Sequence, residues 1–186
     1  STEWGEIYKY LTAHGSERII AGDYRAYDKT MPPSAILHAF SILISIARSA
    51  GYTECDQRAM WSCAYDTAFP LTDFFGDLVM FNGSNPSGHP LTVIINSLVN
   101  SILMRYVFIK KYGVDACASF KKYVSLLTYG DDNIAGVSRA LSGFNHTLVQ
   151  DVLKEAGIVY TMADKEAESS PFIHIDDAEF LKRRFV

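Results

Sequence analysis

Two apolar, strand-forming runs, Tyr123–Thr128 and Ile134–Val137, are separated by little more than Tyr129-Gly-Asp-Asp132. A gap that short leaves the chain few options, and the runs are expected to pair as antiparallel strands across a tight turn. Gly130 supplies the backbone angles such a turn demands. The turn carries two adjacent carboxylates, Asp131 and Asp132, with no Lys or Arg within five positions on either side. Like charges so close disfavour joint ionisation, and a bound cation is the simplest partner that holds both ionised. Carboxylates are hard oxygen ligands suited to Mg²⁺. The competing reading is an ordinary Gly-Asp turn with both acids in water. What else the chain carries decides between them.

At 186 residues the chain is long enough for one sizeable core or for part of a larger domain. Its 48% hydrophobic and 20% charged residues describe a soluble globular protein rather than a disordered one. Cys55, Cys63 and Cys117 have no CxxC spacing and no paired His, so neither a zinc site nor a disulfide framework is supported. No apolar run reaches the ~20 residues of a membrane helix, the best being interrupted by Arg105, and no targeting signal is visible. The opening at Ser1 and the strand-like close at Arg184-Phe-Val186 suggest a piece of a longer polypeptide. A net charge of −4 argues against a broad nucleic-acid surface unless the acids gather where metal sits. The bases do cluster, at Lys110-Lys111, Lys121-Lys122 and Lys182-Arg183-Arg184.

Taken in order, residues 6–14 suggest a short helix and Arg18–Tyr24 a strand that delivers Asp23 at its end. Asp28 follows five residues later, and an odd separation puts two side chains on opposite faces of a continuous strand. The two acids can share a site only if the strand stops near Asp23 and the chain turns. Pro33 opens a helix that closes near Gly51, with Ile36, Phe40, Leu43 and Ala47 on one face. A helix over 58–69 would pack Trp61 and Tyr65 into the core, and Asp77–Gly83 reads as a strand. After the loop Ser84–Pro90, a helix from about Leu91 to Lys111 is apolar around most of its circumference, hence buried on most sides. Down it runs one polar stripe, Thr92, Asn96 and Asn100, at i, i+4 and i+8. Either these amides bond to neighbouring backbone, or the top of the helix faces a polar ligand beside Ser87-Gly88. The hairpin over 119–137 follows, then a helix over 144–156 with Leu148, Val152 and Leu153 inward, a strand at Ile158–Met162, and an edge strand or hairpin over 179–186. The sum is an α+β fold, a sheet with helices on one side.

The constellation D-x4-D (Asp23, Asp28), S-G-x3-T-x3-N (Ser87, Gly88, Thr92, Asn96), YGDD (Tyr129–Asp132), Ala163-Asp-Lys165 and Phe180-Leu-Lys-Arg-Arg-Phe185 runs in one order along nearly the whole chain. It resembles the palm region, motifs A to E, of positive-strand picornavirus-like RNA-dependent RNA polymerases. Met31-Pro-Pro33 and Ser-Gly-His-Pro-Leu-Thr are most similar to the enzymes of insect and marine picorna-like viruses. His89-Pro90 departs from the small residues of picornaviruses proper, so the behaviour of that loop is not carried over. The resemblance implies the palm of a right-hand polymerase, an RRM-like antiparallel sheet backed by helices. It implies one palm fragment over 1–186, with about 52–86 reaching into the fingers, and the N-terminal fingers and C-terminal thumb outside the segment.

It also implies a chemistry: RNA-directed RNA synthesis from ribonucleoside triphosphates on an RNA template and primer. Two Mg²⁺ ions, with Mn²⁺ as substitute, would be held by Asp23, Asp131 and Asp132 and the Tyr24 carbonyl. Asp28 and Asn96 would read the ribose 2′-hydroxyl with Ser87, Gly88 and Thr92, which suits a group that separates RNA from DNA. Lys165 would be the general acid, and Lys182, Arg183 and Arg184 the cations on primer or triphosphate. A protein primer, the rest of a viral polyprotein, and membrane-associated replication complexes in the host cytoplasm complete the expectation. A reverse transcriptase shares the Tyr-x-Asp-Asp hairpin, but its position equivalent to Asp28 is typically a bulky aromatic. A non-catalytic fragment that binds metal or RNA is the rival from another class. A Cys/His hydrolase lacks any nucleophile motif.

Overall fold

The structure, a computed structural model, describes residues 2–83, 90–162 and 168–185. In chain order its elements are α1 (Thr2–Leu11), β1 (Ile19–Tyr24), α2 (Tyr27–Thr30), α3 (Pro33–Ser49), α4 (Glu54–Ala68), β2 (Leu71–Phe74), β3 (Asp77–Met80) and α5 (Thr92–Tyr112). There follow α6 (Phe120–Tyr123), β4 (Val124–Tyr129), β5 (Asp132–Val137), α7 (His146–Glu155), β6 (Tyr160–Met162), β7 (Glu179–Phe180) and β8 (Arg183–Arg184). They divide into two compact units, Ser1–Arg25 with Leu103–Val186, and Ala26–Ile102.

The first unit is built on β1. Strand β5 pairs with it antiparallel from Ile19↔Gly136 to Gly22↔Asn133. Strand β6 takes its other edge, and β4 closes on β5, giving the order β4-β5-β1-β6. Side chains alternate across a strand, so Ile19, Ala21 and Ile134 face one way, where Leu11, Ile175, Ala178, Phe180 and Phe185 complete a core. Ile20 and Ala135 face the other way, and on that side α7 lies against β6 and β1 with Val149, Val152 and Leu153 buried. The expectation of helices on one side is therefore corrected. Both faces are covered, as the unbroken apolar run Ile19-Ile-Ala21 permits, because a strand buried on two sides does not alternate. The approach on the first face is close. A Cβ at Gly136 would overlap the Leu11 carbonyl, so only glycine lets α1 end against β5. Residues 119–123, expected in the hairpin, are helical turns instead, and the hairpin begins at Val124. Helix α7 is capped by the Asn145 side chain, which accepts from the Leu148 amide at 2.9 Å.

In the second unit α3 packs on α4. Pro33 at the first turn of α3 fits its fixed φ, and Ile44 rather than Leu43 is the fully buried residue of that face. Helix α4 starts four residues before the expected Arg58, because Thr53 and Asp56 form a reciprocal capping box. Its inward residues are Ala64, Thr67 and Ala68. Trp61 and Tyr65 were expected in the core and are not there. Tyr65 is 54% exposed and sits in a surface ladder with Trp61 and Phe69, ring centroids 6.3 and 6.5 Å apart. Helical spacing assigns residues to a common face without saying which way that face points. Strand β3 has an unanticipated partner in β2, across the turn Phe75-Gly76. Helix α5, divided between the units, is long and apolar enough by composition to cross a membrane, contrary to the expectation from Arg105. Burial of Ile95, Val99, Leu103, Met104, Val107 and Phe108 marks it as a core helix, although Val93 and Ile94 are exposed.

Candidate active site

Asp23 is the penultimate residue of β1 and pairs with Thr161 of β6. The last β1–β5 pair is Gly22↔Asn133, so one step further on each strand stand Asp23 and Asp132. Residues opposite one another in an antiparallel pair project on the same face. Asp132 also closes the hairpin against Tyr129, leaving Gly130-Asp131 as a two-residue loop. Gly130 has a φ of +62° and Asp131 does not share it, so glycine takes the left-handed position of the loop. Asp131 is exposed, and Asp23 and Asp132 are half-buried.

Asp132 feels the other two acids. The Asp132 carboxyl is pushed above the usual aspartate range, first by burial and then by Asp131 and Asp23, with a lesser push from Glu179. A hydrogen bond from the Leu181 backbone acts in the opposite sense. That amide sits at the tip of the β7–β8 hairpin, where Leu181 and Lys182 both adopt left-handed φ angles of 54° and 58°. Non-glycine residues avoid this region, and two in succession mark stored backbone strain beside the carboxylates.

Among the described residues no three Asp, Glu, His or Cys side chains form a ready-made cage for a metal ion. The donor chemistry of Asp23, Asp131 and Asp132 nevertheless fits a hard divalent cation, since the push of Asp131 and Asp23 on Asp132 is what such an ion would relieve.

Of the expected sugar-reading residues, Asp28, Thr92 and Asn96 belong to the second unit. Directly after β1 the chain turns at Ala26, φ 52°, into the short α2 that carries Asp28. The strand thus ends before Asp28, as the odd spacing of Asp23 and Asp28 left open. The Tyr27 hydroxyl donates to the Asn96 carbonyl at 2.9 Å, which ties α2 to α5. Asn96 and Asn100 of the polar stripe are buried, Thr92 and Asp28 half-buried. Ser87, Gly88 and Lys165 lie outside the described residues. Tyr24 is buried, its ring 5.0 Å from that of Tyr160. Lys182, Arg183 and Arg184 are exposed, and the Arg183 guanidinium lies 5.8 Å over the Trp4 ring.

The fold is that of a solved polymerase. The Sicinivirus 3Dpol RNA-dependent RNA polymerase superimposes with a TM-score of 0.79 over 99% of this chain and 36% of its own, at 23% identity. The sequence profile described as viral RNA-dependent RNA polymerase matches residues 1–186, and the chain belongs to that family. The Cricket paralysis virus replicase polyprotein is 32% identical over 199 residues, covering all of this chain and 11% of that protein. The RNA1 polyprotein of Cherry rasp leaf virus is 32% identical over 205 residues, and the replicase polyprotein of Drosophila C virus 31% over 200. The chain thus spans about a tenth of the length of these relatives. The resemblance to insect picorna-like polymerases is borne out, and polyproteins of plant viruses match at similar identity.

Proposed function

We propose that this chain is the catalytic core of an RNA-directed RNA polymerase that copies a viral genome. The observation that carries the reading is the gathering of Asp23, Asp131 and Asp132 at one end of the β1–β5 pair, close enough that Asp23 and Asp131 perturb Asp132. Transfer of a nucleotidyl group asks for positioning and charge stabilisation more than covalent chemistry from the protein. Two divalent ions, when bound, would activate the primer 3′-hydroxyl and stabilise the leaving pyrophosphate. Asp23 and Asp131 are the principal ligands in this reading, with Asp132 and the Tyr24 carbonyl in support.

Asp28 and the Asn96 side chain recognise the 2′-hydroxyl of the incoming ribonucleotide, a hydroxyl that an acceptor and an amide can bond together. Ser87, Gly88 and Thr92 belong to the same network. Lys165 donates the proton that the pyrophosphate takes up, and Lys182, Arg183 and Arg184 neutralise primer or triphosphate oxygens. Template and primer RNA, a protein primer and the remainder of the polyprotein are the partners of this reading. The setting is a membrane-associated complex in the host cytoplasm.

The test is primer extension on an RNA template by the polymerase that contains this chain. Asp131→Ala should lower extension by roughly 10³-fold or more, the scale of losing a group that stabilises transition-state charge. Extension at the parent rate would remove the metal assignment.

A further inference from the structure

Beneath the carboxylates, on the opposite face of the sheet, lies a buried polar cross-brace. Tyr160 on β6 extends its phenol across β1 and donates to the Asn133 Oδ1 on β5 at 2.7 Å. The ring passes over Gly22, where any Cβ would overlap the phenol. Asn133 directly follows Asp132, and Gly22 directly precedes Asp23. The contact therefore joins the neighbours of two of the acids, and it does so in a fully buried setting. Tyr160 and Asn133 are each 1% exposed. His146 stacks on the Tyr160 ring at 5.0 Å and 29°, and Tyr24 tilts against it at 5.0 Å, so two further rings pack on the phenol.

Stability alone does not account for this arrangement. The two positions of β5 that follow, Ile134 and Ala135, are apolar and wholly buried. The Asn133 amide nitrogen finds no partner among the described residues, which is a cost that an aliphatic side chain would avoid. Burial pushes the Tyr160 hydroxyl up, so it remains a protonated donor.

We propose that Tyr160 and Asn133 are positioning residues for the acidic cluster. Their hydrogen bond across Gly22 sets the spacing of β5 from β1, and with it the separation of Asp23 from Asp131 and Asp132. Alternation puts the brace on one face and the acids on the other, so the pair acts on the site without touching its ligand. The inference rests on the metal-binding reading of the acids given above.

The test uses Tyr160→Phe, which deletes one hydroxyl and leaves the ring stack in place. Mn²⁺ is titrated into the chain and the free ion is followed by electron paramagnetic resonance. Affinity should fall by about tenfold while the circular dichroism spectrum is unchanged, the scale expected when support for a ligand is lost. In the polymerase, kcat for nucleotide addition should fall with it while KM for the nucleotide holds. Asn133→Val should give the same loss, and the double variant no more than either single one, because both remove one interaction. A folded Tyr160→Phe chain with parental Mn²⁺ affinity and kcat, or losses that add, would overturn the proposal. Asp131→Ala separates the two levels. If it abolishes Mn²⁺ binding and Tyr160→Phe does not weaken it, positioning alone fails. If Asp131→Ala leaves binding and extension intact, the metal reading and the brace fall together.

Discussion

The turns Tyr129-Gly-Asp-Asp132 and Phe74-Phe-Gly-Asp77 each join two strands through a two-residue loop, and each uses glycine at positive φ. Their surroundings could hardly differ more. Strand β5 is buried at Asn133 through Val137, pressed by β4 and β1 at its edges and by α1 on one face. Strands β2 and β3 are exposed at every position but Val79, and Phe75 at their tip is 97% exposed. Turn chemistry is thus a local property that sequence states openly. What the hairpin is for depends on which elements come to flank it. A pair of acids on the β2–β3 turn would sit in water, whereas on the β4–β5 turn they meet Asp23.

The sharpest way to break this contrast is to disturb the packing of each hairpin. Gly136→Ala drives a methyl into the Leu11 backbone carbonyl, which has no side-chain freedom with which to yield. The variant should lose about 3 kcal/mol in urea denaturation, the upper range for overpacking. Leu78→Ser on β3 should stay within about 0.5 kcal/mol, since that side chain is 70% exposed. Comparable losses at the two sites would mean that the β2–β3 hairpin is not the bare structure described above.

A smaller effect tests the turns themselves. A Cβ at Gly130 or at Gly76 meets nothing within 4 Å, so alanine at either costs only its dislike of positive φ. Each substitution should destabilise by about 1 kcal/mol, and the two by similar amounts. A markedly larger cost at Gly130 would show that the site holds its turn in one geometry, which would strengthen the case for a strained and preorganised cluster.

The contrast also explains what was legible in the sequence. The D-x4-D, YGDD and Phe-Leu-Lys-Arg-Arg-Phe segments named their own residues, and the Gly130 turn and the strand pairing across it followed from local rules. The strand end expected near Asp23 falls at Tyr24, with a turn at Ala26. Direction was not legible. Trp61 and Tyr65 share a helix face with equal clarity whether that face is core or solvent, and only the burial of Ala64 and Ala68 on the other face decides. Nor was β2, because Leu71-Thr-Asp-Phe74 has no buried face to impose a pattern. Asn133 and Tyr160 were missed for another reason. An amide after two acids and a tyrosine in a short strand become a pair only when β1 is threaded between them. The one available signal was a polar residue inside an apolar strand.

The smallest predicted effect concerns the buried layer under β5, for which the β2–β3 hairpin has no counterpart. His146 is 1% exposed, hydrogen-bonded through Nδ1 to the Ser169 hydroxyl at 2.9 Å and stacked on Tyr160. Burial is the main cause that lowers its pKa below the ordinary 6.5. The folded state therefore prefers the neutral ring. Its contribution is complete above the unfolded value and is lost as pH falls from about 6.5 through the lowered folded one. Thermal unfolding of the chain followed by circular dichroism should show this limb, with a slope of at most about 1.4 kcal/mol per pH unit for a single proton. His146→Phe keeps a ring against Tyr160 and should flatten the limb without altering stability above neutrality by more than the loss of one hydrogen bond, about 1 kcal/mol. An unchanged acid limb in that variant would mean that acids elsewhere, and not the layer beneath the active-site hairpin, set the acid sensitivity of this fold.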